Sequence, residues 1–410
     1  MRRRLPPALR LREFALLWTA ILTMRFADAM VAVAVGWQVY AIHRHPLDLG
    51  LVGLAEFVPL PLLALPAGHL SDRFPRRTVG AAAIAINVTI VALLLVVTLR
   101  GAHALWPFLA LAALSGVAAV TGSPAMSALT PELVPTDLLP GAVALRSVAG
   151  QIAVVAGPAA GGLLFAIRAE VVYAVAVALL CVALVAVLGL RRRAAVVSER
   201  APGFDELVAG VRFVIRTRIL LGAIALDLFA VLFGGAVALL PVYARTILDV
   251  GPVGLGVLRT APAVGALGAA LLLARRPLRR PAGATLLLVV AAFGVSIIVF
   301  GLSKWFPLSL VALGISGFAD MISVNIRSTT AALVTPNELR GRVLAVEWVF
   351  ISASNELGAF ESGIIASLIG TVTAVVAGGV ATVAIALSWT RLFPSLARMG
   401  RLEDLRPEPV

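Results

Sequence analysis

Apolar runs of about twenty residues follow one another along the chain, separated by short polar or charged segments. A helix rises 1.5 Å per residue, so such a run crosses the ~30 Å hydrocarbon core of a bilayer. On this pattern the sequence predicts helical spans over 14–40, 47–70, 78–99, 104–127, 140–166 and 170–190. Six more follow over 219–244, 252–274, 282–302, 306–333, 343–367 and 370–390. The basic start "MRRRLPPALRLREF" looks like the front of a signal peptide. The apolar stretch behind it, Phe14 to Tyr40, is too long for that and has no small-residue cleavage site, so it reads as a retained first span.

Composition points the same way. Of 410 residues 60% are hydrophobic and 13% charged, and the mean hydropathy is +1.02. A water-soluble globule of this length could not hide so much apolar side chain. The fold class is therefore an all-α polytopic membrane protein. Cys181 is the only cysteine, which excludes an intrachain disulfide and a thiolate metal site. The histidines (His43, His45, His69, His103) fall in loops and at span ends, and no metal or cofactor is expected.

A net charge of +13 and a pI near 11.4 would suit a nucleic-acid partner, but the placement of the charge argues against one. With the N-terminus inside, the outer loops hold only Arg44, Arg100, Arg168, Arg245 and Lys304, and most other basic residues fall in cytoplasmic segments. That is the positive-inside rule. Trp18, Tyr40, Trp106, Tyr173, Tyr243, Trp305 and Trp389 lie near span ends, as an interfacial aromatic belt does. Twelve spans put both termini in the cytoplasm, with the bilayer as the chain's main partner.

One connection is long. Residues 191–218 separate six spans (1–190) from six more (219–393), and a tail follows over 394–410. Within the linker, "FDELVAGVRFVI" has apolar residues at helical spacing with charges opposite, which predicts an interfacial helix on the inner leaflet. The halves also resemble one another. "SGVAAVTGSPAMSALTPELVPTDLLPGAV" from Ser115 and "SGFADMISVNIRSTTAALVTPNELRGRVL" from Ser316 stand 201 residues apart. The same offset, with no gap, aligns Pro135 with Pro336, Gly157 with Gly358 and Gly162 with Gly363. Two related six-span halves are a common plan for secondary transporters.

Ionisable residues inside the predicted spans include Arg25, Asp28, Glu56, Arg146, Asp227, Arg259, Asp320, Arg327, Glu347, Glu356 and Glu361. Facing lipid, each would cost ~2.5–3.5 kcal/mol near a helix centre, so most must face protein or a wet cavity. Simpler readings exist for some. Arg146 and Arg327 are close enough to a cytoplasmic end to snorkel. Arg25 and Asp28, three apart, can be a structural ion pair. Asp227 can face a wet vestibule, and Glu347 lies near an inner end. Asp28, Glu56, Asp320, Glu356 and Glu361 are deeper and are the candidate proton carriers. "SNELGAFESG" (354–363) overlies "VVAGPAAGGL" of span 5, so Glu356 and Glu361 replace Val155 and Ala160. Five positions apart is about 140° around a helix, which predicts that these two glutamates do not share a site.

"GHLSDRFPRR" (68–77), between the second and third spans, resembles motif A of the major facilitator superfamily. "GPAAGG" (157–162) in the fifth span resembles that superfamily's motif C, the mark of its antiporting exporters. Across nearly the whole chain, "LREFALLW", "LVGLAEFVPL", "AGVRFV" and "ELRGRV" add to a similarity with the drug and siderophore exporter branch. The resemblance implies two pseudo-symmetric six-helix bundles in a bacterial cytoplasmic membrane. It makes Gly68, Asp72, Arg73, Arg76 and Arg77 a conformational latch, with Asp72 leaning toward the start of span 11. Gly157, Pro158, Gly161 and Gly162 become a close-packing segment. It also puts spans 3, 6, 9 and 12 on the outside, four of the five spans free of interior charge. In one respect the chain departs from some drug antiporters, because span 4 lacks a basic residue; Arg146 or Arg25 would have to substitute.

The expected function is a proton-coupled exporter of hydrophobic drugs or siderophore-like molecules, working as a monomer by alternating access and driven by an ion gradient. Glu56 and Glu356 lead as proton carriers, ahead of Asp28, Glu361 and Asp320, with Arg25, Arg146 and Arg327 as charge partners. Phe229, Phe233, Phe318 and Asn325 are candidate substrate contacts. A nutrient importer of the same fold is the alternative. A membrane-embedded enzyme is more remote, because no nucleophile–base pair or metal cluster is in sight.

Overall fold

The computed structural model describes residues 6–63, 74–191, 204–276, 278 and 280–406. Among these there is no strand, and twelve helices are long and apolar enough to cross a membrane. They are span 1 (Arg12–His43), span 2 (Pro46–Leu63), span 3 (Arg76–Leu99), span 4 (Trp106–Leu133), span 5 (Leu139–Ile167) and span 6 (Ala169–Leu188). Span 7 (Arg218–Ile247), span 8 (Gly251–Arg275), span 9 (Ala282–Leu302), span 10 (Phe306–Val334), span 11 (Asn337–Ile369) and span 12 (Thr371–Leu392) follow. Turn chemistry ends several of them. Arg44 takes a left-handed backbone after span 1, Gly370 (φ 88°) separates spans 11 and 12, and Pro75, Pro281 and Pro336 precede spans 3, 9 and 11.

The chain divides into two compact units. The first comprises Met1–Arg44, Leu51–Ala201 and Val250–Thr260. In it span 1 packs on spans 5 and 6, and span 3 on spans 4 and 6. Phe14, Leu17, Ile84, Met126, Leu129, Ala142 and Val187 form its core. Polar side chains tie the helices at two points. Trp18 donates Nε1–H to the Leu145 carbonyl at 2.8 Å, and Gln38 joins Thr98 (3.1 Å) to Tyr173 (2.5 Å). The opening turns of span 8 belong to this unit, against span 5.

The second unit comprises His45–Gly50, Pro202–Asp249 and Ala261–Val410. Here span 9 packs on spans 10 and 12, and span 7 on spans 11 and 12. Trp389 Nε1–H donates to Gly222 O at 2.9 Å, and Tyr243 Oη–H to Gly301 O at 2.9 Å. The opening turn of span 2 belongs to this unit, against span 11.

Span 7 is not continuous. The α-helix stops at Gly234, passes Gly235 into a 3₁₀ turn (Ala236–Leu239) and ends in a π-helical turn (Tyr243–Ile247). Adjacent glycines, with the least backbone constraint, suit such a break. The linker helix (Phe204–Arg216) packs on the ends of the spans. Its Phe213 and Val214 are buried with Leu220, Ile224, Val334, Leu339, Val343 and Val346, and Gly210 lies against the Arg342 backbone. The amphipathic pattern predicts a covered face, and spans 7, 10 and 11 cover its C-terminal part.

Candidate functional site

Repeat-related glycines set the approach of helices in both units. In the first, a Cβ on Gly157 would stand 2.6 Å from Ala29 Cβ on span 1, and one on Gly161 would stand 2.9 Å from Met30 Cα. Gly162 faces span 8, where its Cβ would lie 2.5 Å from Pro252 O and 3.1 Å from Gly256 Cα. Gly256 returns the contact, 2.5 Å from Pro158 O, and Thr260 Oγ1–H donates to Val155 O at 3.0 Å. In the second unit Gly358 meets span 7 at Leu232 O (3.0 Å), and Gly363 meets Gly50 Cα (3.0 Å) and Pro46 O (3.2 Å) of span 2. The starts of spans 2 and 8, "PLDLG" and "PVGLG", share a Pro-x-x-x-Gly spacing and occupy matching places. Backbones approach this closely only where side chains are absent.

The interior charges of the first unit lie on spans 1, 2 and 5. Asp28 lies in the fields of Arg25 and Glu56, and its side chain is exposed. Arg25 and Glu56 are open in the same way. Among the described residues Arg25 and Asp28 make no direct ion pair, so their proximity is electrostatic. Arg146 does not snorkel. Its guanidinium holds span 4 through Ser127 O (3.1 Å), Ser127 Oγ (2.6 Å) and Thr130 Oγ1 (3.3 Å), which brings a cation to the span that lacks one. Glu56 sits where span 2 touches span 4, and a Cβ on Gly116 would fall 2.1 Å from its carbonyl oxygen. Gly116→Ala is therefore expected to displace span 2 and cut transport at least severalfold. Gly141→Ala, with nothing within 4 Å, should leave it intact; initial rates in proteoliposomes compare the two.

A tighter cluster occupies the second unit. Asp227 on span 7 and Arg327 on span 10 form an ion pair of 2.6 Å, with side chains 8% and 4% exposed. This overturns two expectations: Asp227 does not face a vestibule, and Arg327 does not snorkel but is buried against Asp227. Asp320 and Glu347 interact electrostatically with the same pair, so one guanidinium serves three carboxylates from spans 7, 10 and 11. Arg327 Nε has no hydrogen-bond partner. Asp320 and Arg327 are seven residues apart, two turns along one face of span 10. Three ionised carboxylates around one cation would leave a net charge of −2 out of water, an arrangement that favours proton uptake.

Glu361 lies at the break in span 7. Ser362 Oγ contacts Glu361 Oε2 (3.4 Å) and the Gly235 carbonyl (3.5 Å). Glu356 is half-buried and about 160° around span 11 from Gly358, the residue that faces span 7.

Gly68, Asp72 and Arg73 of motif A, and the expected lean of Asp72, lie outside the described residues. Arg76 pairs with Glu132 at the end of span 4 (2.7 Å), and Arg77 donates to Val187 O (3.2 Å) and Leu188 O at the end of span 6. At the matching edge of the second unit, backbone does this work: Ala282 N–H donates to Gly400 O (2.7 Å) and Gly283 N–H to Met399 O (3.2 Å). The aromatic candidates are engaged in packing. Phe229 stacks on Phe233 (6.4 Å between centroids) and meets Trp389 edge-on (5.9 Å), while Phe318 abuts Gly265 and Gly268 of span 8. Asn325 is half-buried, and its carbonyl accepts from Ser328.

Known proteins share this architecture. The chain aligns with the nucleoside transporter NupG, as a variant, at a TM-score of 0.75 and 11% identity, over 93% of this chain and 100% of that one. A bacterial homologue of the human lysosomal transporter Spinster, in an inward-facing unoccupied conformation, gives 0.75 and 16% over 98% and 99%. At these identities the likeness speaks to the fold. In sequence, the multidrug efflux pump Tap of Mycolicibacterium fortuitum is 27% identical over 366 residues, 86% of this chain and 88% of that protein. The family model for transmembrane secretion effectors matches residues 5–403. With twelve apolar helices, paired glycine contacts and charges held inside the spans, the chain belongs to the transmembrane secretion effector family of major facilitator transporters.

Proposed function

We propose that this protein is a proton-coupled exporter, an antiporter of hydrophobic small molecules that works by alternating access in a bacterial cytoplasmic membrane with both termini inside. The observation that carries the reading is the cluster of Asp227, Asp320 and Glu347 around Arg327. A group that binds a proton on one side of a membrane and releases it on the other needs a carboxylate whose partner can change, and Asp227 has one. Kinship with a multidrug efflux pump supports export of drug-like compounds, and siderophore-like molecules are within the same reading. Asp28, Glu56, Glu356 and Glu361 are further sites along the proton's route.

Proteoliposomes under an imposed pH gradient test this with a panel of anionic, neutral and cationic dyes. The gradient is expected to accelerate uptake of at least one dye tenfold or more. Asp227→Asn should abolish that acceleration, and Glu56→Gln and Glu356→Gln should weaken it. Uptake indifferent to the gradient in the native protein would remove proton coupling, and full activity in all three variants would remove the assigned residues.

A further inference from the structure

One interior charge is unlike the others. Arg25, Asp28, Glu56, Arg146, Asp227, Asp320, Arg327, Glu347, Glu356 and Glu361 each have a charged or hydrogen-bonding neighbour. Among the described residues Arg259 on span 8 has none. Its Nε is shielded from solvent without a hydrogen-bond partner, and among the described residues it makes no ion pair. Among the described residues no carboxylate stands close enough to act on it.

Position limits the usual escapes. Arg259 is eight residues from the start of span 8 at Gly251 and sixteen from its end at Arg275. That is about 12 Å from one end and about 24 Å from the other. Only the nearer end is within range of a long side chain, and a lipid phosphate would have to descend about 12 Å to reach the Arg259 backbone. The helix face is also settled. Gly256 and Thr260 face span 5, while Val264 and Leu271 are exposed. Arg259 lies about 120–140° around the axis from Val264 and Leu271 and about 80° from Leu267, at the border of the exposed apolar flank. Its chain neighbours Leu258, Ala261 and Pro262 offer only apolar side chains.

A guanidinium without a counter-ion, its Nε cut off from solvent and the rest only partly exposed, recovers the most when an anion arrives. Its planar fork presents paired N–H donors to a carboxylate, sulfonate or phosphate. We infer that Arg259 is a substrate-recognition residue that binds the acidic head group of an otherwise apolar substrate. Export of amphipathic organic anions follows. The inference rests on the transport reading above but not on proton coupling.

Equilibrium binding tests it with two probes of nearly equal shape, pyrene-1-butyrate and its neutral primary amide. Binding is read by fluorescence polarisation on the full chain in phosphatidylcholine nanodiscs, with empty nanodiscs subtracted. The native protein is expected to bind the acid at least tenfold more tightly than the amide. Arg259→Gln should erase the preference, and Arg259→Lys should keep part of it. Equal binding of the two probes by native protein overturns the proposal whether or not any variant folds; so does a preference that survives in Arg259→Gln, or binding of neither probe. In nanodiscs containing phosphatidylglycerol the preference should persist. Its loss there would assign Arg259 to lipid phosphate and end the substrate role. Because no gradient is present, a transporter coupled to another ion still passes, so this failure and that of proton coupling are separable.

Discussion

Arg327→Ala is expected to abolish gradient-driven transport and to lower stability by about 3–5 kcal/mol, the usual penalty for removing one partner of a buried pair. The loss has two sources. Asp227, 8% exposed, is left charged and unpaired out of water, and the attraction that Arg327 offers Asp320 and Glu347 disappears as well. Asp227→Ala should cost a similar amount, because Arg327 is then stranded. A double substitution to apolar residues, Asp227→Leu with Arg327→Leu, separates structure from function. It should recover most of the stability, since replacing a buried pair by packed apolar groups is often neutral, yet leave transport dead. Thermal unfolding of purified protein, read beside proteoliposome uptake, decides. Transport retained by the double variant would mean that the pair is only structural.

The second large effect concerns span 5. Gly162→Leu is expected to remove transport, and Gly150→Leu in the same helix to leave most of it. A side chain on Gly162 would meet the Pro252 oxygen at 2.5 Å and the Gly256 and Val253 backbones just beyond 3 Å, none of which can rotate aside. Nothing stands within 4 Å of a Cβ on Gly150. Forcing spans 5 and 8 apart costs about 1–3 kcal/mol as overpacking, and it displaces Thr260 and with it the turn that carries Arg259. Crosslinking between cysteines introduced on spans 5 and 8 should fall in the first variant and persist in the second. Equal activity of the two would show that this contact plays no part in the transport cycle.

Much of this was legible in the sequence, for identifiable reasons. Span number follows from run length, which hydrocarbon thickness imposes. Span ends are less legible: span 4 runs to Leu133 where 127 was expected, and span 11 starts at Asn337 where 343 was expected. Polar helix outside the hydrocarbon looks like loop to a hydropathy pattern. The glycine contacts were visible as a 201-residue echo, because close approach demands a missing side chain and leaves a positional trace. The Pro-x-x-x-Gly starts of spans 2 and 8 carry a similar signal at a different offset, since Gly50 and Gly256 stand 206 apart. Charge pairing left no such trace. Asp227 and Arg327 are 100 positions apart on separate helices, and only helix rotation decides that they meet while Arg25 and Asp28, on one face, do not. The linker helix makes the same point: its amphipathic pattern predicts a covered face but does not say whether lipid or spans 7, 10 and 11 cover it.

The two compact units do not coincide with the two sequence halves. The first borrows Val250–Thr260 from the second half, and the second borrows His45–Gly50 from the first. A chain ending at Ala201 would therefore leave Gly162 without the turn that it packs against, and a chain starting at Pro202 would leave Gly363 without Gly50. Neither fragment can finish its own packing. If the 201-residue echo records a duplication, the ancestral six-span protein met this need by lending its second span to an identical neighbour and receiving one in return. The present chain is, in that sense, a fused pair that has kept the exchange.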